Sequence, residues 1–208
     1  LFKMTTSDQD IYELDNSAYY ILKVTESEMI LWDKYFLTNK RISRFFDTSN
    51  YFIWNIISAI LLSDNEILVQ LDDLTLGVCT IHNMKLIKDS GRMRMNWRFN
   101  KIIRLADNFV AGLFQYNELG RDSLVVIMKI DRTGFHELKK FRFDKNFNNI
   151  TVFGEKFIIL ASSNNVSVFD KYTFECISEV TMKNCDLSNL TVFDDKRVLF
   201  LCKWSNSI

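Results

Sequence analysis

The residue types best suited to recognition gather in one stretch, Arg92-Met-Arg94-Met-Asn-Trp97-Arg98-Phe-Asn-Lys101-Ile-Ile-Arg104. It carries five cations and no acid. Cations interleaved with aromatic rings grip phosphates and stack on bases. The same residue types anchor protein interfaces, where Trp and Arg are enriched among the side chains that dominate affinity. A third reading needs no partner: a solvated loop with Trp97 and Met95 folded down onto a sheet. A second aromatic group, Tyr51, Phe52 and Trp54, falls between Asp47 and Asn55. Exposed, such a cluster marks an interaction site; buried, it packs the edge of a sheet. Tyr116 opens the segment Tyr116-Asn-Glu-Leu-Gly120-Arg-Asp122, which by itself reads as an ordinary turn. The candidate partner-binding residues are therefore Arg92, Arg94, Trp97, Arg98, Lys101, Trp54 and Tyr116.

Nothing comparable points to catalysis. The two histidines, His82 and His136, stand apart from each other and from any nucleophile. No nucleophile elbow, glycine-rich phosphate loop or His-x-x-x-His pair is written in the chain. Asp72-Asp73 and Asp194-Asp195 fit turn chemistry, and calcium-loop spacing is lacking. The cysteines, Cys79, Cys176, Cys185 and Cys202, form no Cys-x-x-Cys pair. They read as buried reduced thiols, which suits an intracellular compartment. The triplets Asn149-Ile-Thr151 and Asn189-Leu-Thr191 match a glycosylation acceptor but lie in apparent strands. The expectation is a protein that is not an enzyme, with no metal and no cofactor.

Composition narrows the partners. Lys plus Arg equals Asp plus Glu at 26 each, so global charge gives no reason to expect nucleic acid or membrane. The longest apolar stretch, Tyr51 to Leu62, is interrupted by Asn55 and Ser58 and is too short to span a bilayer. No signal peptide is visible. The expected location is the cytoplasm or the nucleus. Hydrophobic residues at 48% and aromatics at 14% supply a large core. The absence of proline fits a biased genome better than a structural demand.

The elements that must position these residues announce themselves by repetition. An apolar run, a two-residue turn signal and a second apolar run recur five times. The turn signals are Asp15-Asn16, Asp64-Asn65, Asp107-Asn108, Gly154-Glu155 and Asp194-Asp195, and the copies start about 40 to 49 residues apart. Asn and Asp tolerate the left-handed backbone that two-residue hairpin turns require. A second marker keeps step. Met29-Ile-Leu-Trp32-Asp33-Lys-Tyr resembles Val166-Ser-Val-Phe169-Asp170-Lys-Tyr, with looser versions ending at Ile130-Asp131 and Ile81-His82. The marker positions 32, 81, 130 and 169 are separated by 49, 49 and 39 residues. Two markers with one period predict four-stranded blades of an all-β propeller, with strands a to d in each. Several of the predicted b strands are apolar on both faces rather than alternating, as expected of a strand packed between two neighbouring sheets. Predicted d strands are Arg41–Phe46, Lys85–Lys88, Glu137–Phe143 and Ile177–Met182.

On Trp32-Asp33, Phe169-Asp170 and Ile130-Asp131 the chain resembles the WD40 family of β-propellers over essentially its whole length. It departs from the family in lacking the Gly-His pair. The resemblance implies that the basic stretch, as the link from strand d of one blade to strand a of the next, lies on the face where partners dock. Four complete blades are expected at 11–46, 57–88, 101–143 and 149–182, with a partial blade at 187–208. Leu1–Thr5 is a candidate d strand. Because an open arc exposes strand edges, the blades are expected to belong to a longer protein or to be completed by other residues.

The expected function is that of a non-enzymatic protein–protein interaction module. Two settings fit: a scaffold subunit of a larger complex, or the substrate-recognition part of a ubiquitin ligase. The alternative is an RNA-associated scaffold that uses segment 92–104.

Overall fold

The computed structural model describes residues 11–16, 20–25, 28–35, 38–42, 44–47, 52–82, 93–94, 99–115, 122–131, 133–182, 185–192 and 197–204. Described residues form strands and turns with no α-helix. The chain divides into two compact units, Leu1–Asn96 with Asp131–Phe135, and Trp97–Ile130 with His136–Ile208.

The first unit holds two antiparallel sheets. One is β1 (Ile11–Asn16), β2 (Tyr20–Thr25), β3 (Met29–Asp33) and β4 (Asn39–Ile42), in chain order. The other is β5 (Arg44–Asp47), β6 (Phe52–Leu61), β7 (Glu66–Leu71), β8 (Thr75–Thr80) and β9 (Met93–Arg94), also in order. Its core is built from facing sides of the two sheets. Leu22, Val24, Met29 and Leu31 meet Ile56, Ala59, Leu61, Ile67, Val69, Leu71 and Cys79. Strands β1 and β2 pack against β6.

The second unit holds a four-stranded sheet, β10 (Lys101–Ala106), β11 (Phe109–Gln115), β12 (Ser123–Asp131) and β13 (Gly134–Phe143). A second follows, β14 (Asn149–Phe153), β15 (Phe157–Ala161), β16 (Asn165–Asp170) and β17 (Cys176–Thr181). The last sheet has two described strands, β18 (Cys185–Val192) and β19 (Val198–Trp204). The first strands of these sheets lie side by side, β10 against β14 and β14 against β18.

Strand β15 shows why a run such as Phe157-Ile-Ile-Leu-Ala has no polar face. Ile158 and Leu160 join Ile103, Ala111, Leu113 and Val125 of the preceding sheet. Ile159 and Ala161 join Leu187 and Leu190 of the following one. Successive strand residues point to opposite faces, so a strand between two packed sheets buries both and favours apolar residues throughout. Burial of each such aliphatic side chain contributes about 1.5–3 kcal/mol.

The turns are more varied than their shared signal. Asp107-Asn108 is the expected two-residue hairpin: Ala106 pairs with Phe109, and Asn108 has φ 61°. Gly154 has φ 60° but heads a three-residue turn, because Phe153 pairs with Phe157. Around Asp64-Asn65 the loop is longer still, with Leu61 paired to Ile67.

Strand pairing departs from expectation in two places. Arg41–Phe46 is not one strand. Arg41 and Ile42 pair with Ile30 and Met29 of the first sheet, whereas Arg44 and Phe46 pair with Asn55 and Ile53 of the second. The polar–apolar alternation of Arg41-Ile-Ser breaks at Ser43-Arg44, and the chain passes from the first sheet to the second between Ile42 and Arg44. The expected strand Lys85–Lys88 lies outside the described residues. The strand bonded to β8 is Met93–Arg94, with Thr75 opposite Arg94 and Leu76 opposite Met93.

Candidate binding surface

The basic stretch is more structured than a linking loop. Its first described residues, Met93 and Arg94, are strand β9, and Lys101 opens β10. Between them, Phe99 is 1% exposed. Its ring lies edge-on to Phe114, with centroids 5.7 Å apart, and directly over Gly112. A Cβ at Gly112 would come within 2.2 Å of that ring, so only glycine leaves room for it. The next amide, Asn100 N–H, donates to Leu113 O at 2.7 Å. Phe99, an aromatic of the stretch, is thus folded onto a sheet.

Lys101 is half-buried, and its Nζ donates to Asn149 Oδ1 at 2.8 Å. This bond ties β10 to β14, the first strands of successive sheets. Lys101 therefore has an architectural partner and is not a cation of a linking loop. Arg104 is exposed on β10. Trp54 lies in β6 with its backbone opposite Phe45, so Phe52 and Trp54 of the second aromatic group belong to the β5–β6 hairpin. Arg92, Trp97, Arg98 and Tyr116 lie outside the described residues, as do Tyr51 and Met95. Arg94 and Trp54 share the second sheet, and Lys101 belongs to the third.

The second repeated marker turns out to be a turn cap. Asp33 Oδ1 accepts the Tyr35 N–H at 2.8 Å, Asp131 Oδ1 the Thr133 N–H at 2.9 Å, and Asp170 Oδ1 the Tyr172 N–H at 2.8 Å. Asp is present at the end of each of these strands because its short carboxylate reaches the amide two residues on. At Asp170 the backbone N–H of Thr173, then that of Tyr172, hold the carboxyl below the usual carboxylate range, with Lys156 adding its charge. Phe174, in the same turn, sits at φ 59°. A bulky residue there is strained. Its ring is buried and stacked on Phe141 at 4.1 Å between centroids, which holds it in place.

These turns present to solvent large side chains that close the repeated marker. Tyr35 is 70% exposed and Tyr172 71%. Leu138 on β13, and Ile177 and Val180 on β17, are also exposed. All six residues of β17 are exposed. Outer strands of this kind have no signature in the chain, because their exposure depends on the absence of a neighbour. Three cations on or just after β13 are ion-paired: Arg142 with Asp122 at 2.7 Å, Lys140 with Glu137 at 2.9 Å and Lys145 with Glu179 at 2.5 Å.

The remaining groups with chemical potential are dispersed. His82 is exposed, and its carbonyl, with that of Ile81, accepts the Lys40 ammonium at 2.8 and 3.1 Å. His136 is exposed on β13. Burial pushes the Cys79 thiol up to about 12, so it stays protonated at neutral pH. Cys176, expected to be buried, is exposed on β17. Among the described residues no group of three or more His, Cys, Asp or Glu side chains is placed to hold a metal ion. No helix among them is long and apolar enough to cross a membrane.

No family model and no curated protein matches the chain. Solved structures do match. Saccharomyces cerevisiae Sqt1 superposes with a TM-score of 0.58 at 10% identity, over 90% of this chain and 53% of that one. The β-propeller domain of Myceliophteria thermophila Cps50 (Swd1) gives 0.61 at 8% identity, over 87% of this chain and 62% of that one. The chain thus spans between half and two thirds of the length of either structure. At such identities the likeness concerns architecture alone: the fold is a β-propeller, and the antiparallel sheets are its blades.

Proposed function

We propose that this chain is a non-enzymatic protein–protein interaction module, a WD40-like propeller serving as a scaffold subunit of a larger complex. The observation that carries this reading is how its residues are used. Sheet interiors are apolar on both faces, as at β15. The polar groups whose bonds are described cap turns or tie strands together, as Asp33, Asp131, Asp170, Lys40 and Lys101 do. What remains outward includes aromatic and aliphatic side chains on fixed turns and outer strands. Rigid aromatics lose little conformational freedom on binding, which suits them as anchors. The likeness to Sqt1 and Cps50 supports the fold on which this reading rests. Substrate recognition within a ubiquitin ligase is a narrower form of the same proposal.

Affinity purification of the tagged protein from cells, followed by mass spectrometry, tests it. Stoichiometric recovery of the same protein subunits in replicate preparations is the expected result. Recovery of a ligase adaptor among them selects the narrower form. Retention on single-stranded RNA that weakens steadily with salt, with no protein partner, overturns the proposal in favour of an RNA-associated scaffold using segment 92–104.

A further inference from the structure

We draw no further inference here: the strongest candidate, the outer edge of β19 in the last sheet, which among the described residues pairs on one side only while its counterparts β2, β7, β11 and β15 pair on both, carries nothing because nothing in the structure shows what covers it.

Discussion

At the scale of single residues, three positions make their own predictions. Gly112 exists to admit Phe99. Gly112→Ala should destabilise by about 1–3 kcal/mol, the usual cost of overpacking, measured by urea unfolding. In a Phe99→Ala background the same substitution should have almost no effect, because the obstructing ring is gone. Equal losses in both backgrounds would show that the ring does not sit over Gly112. Gln70 is fully buried in β7 with neither amide atom hydrogen-bonded. An unpaired buried amide carries a desolvation penalty of about 1–3 kcal/mol. Gln70→Met should therefore raise the urea midpoint, and a lowered midpoint would reveal a partner for the amide. Asp170 gives a pH dependence with a definite sign. Its carboxyl titrates lower in the folded chain than in the unfolded one, chiefly through the Thr173 and Tyr172 amides. The ionised form is then favoured by folding. Its contribution is present above the ordinary Asp value of about 3.9 and is lost as pH falls through the lowered folded value. Carbon-detected NMR should find the Asp170 carboxyl titrating below that ordinary value in the folded chain and at it in the urea-unfolded chain. Asp170→Asn should flatten the acid limb of a stability–pH curve, and an unchanged limb would contradict the cap.

At the scale of elements, the central prediction concerns β15. Ile159 is 3% exposed and packs toward the last sheet. Ile159→Asp places an unpaired charge between two packed sheets, a penalty of several kcal/mol. That is comparable with the whole stability of an ordinary domain. The variant should lose cooperative thermal unfolding and soluble yield. A folded variant with a near-normal melting temperature would mean that this face of β15 is open to water. Much of this level is legible in the chain. The both-face apolarity of β15 is written in Phe157-Ile-Ile-Leu-Ala161, that of β7 in Ile67-Leu-Val until Gln70 interrupts it, and the hairpin at Asp107-Asn108 in its own two residues. What the chain conceals is set by partners distant in sequence. The β5–β6 pairing depends on which neighbour Arg44–Asp47 meets, and nothing within those four residues names it. The Lys101–Asn149 bond joins residues 48 positions apart. Phe99 reads as one more member of a basic-aromatic stretch, because its burial is decided by a glycine on the adjacent strand. The exposed tyrosines recur with the repeated Asp, as Asp33-Lys-Tyr35 and Asp170-Lys-Tyr172, but repetition alone does not tell an exposed ring from a packed one.

At the scale of the whole molecule, the account rests on a division of roles. Sheet interiors and turn caps hold the fold, and outward aromatic, aliphatic and basic side chains are proposed to serve recognition. The basic stretch is where these two roles meet, with Phe99 and Lys101 serving the fold and Arg94, Trp97 and Arg98 proposed to serve a partner. The most direct measurement is therefore a comparison of wild type with the triple variant Arg94→Ala, Trp97→Ala, Arg98→Ala, reading partner capture and melting temperature on the same preparations. Capture should fall at least tenfold, a loss of about 1.4 kcal/mol or more, while the melting temperature stays within a few degrees of wild type. Undiminished capture, or a variant that unfolds, would contradict it.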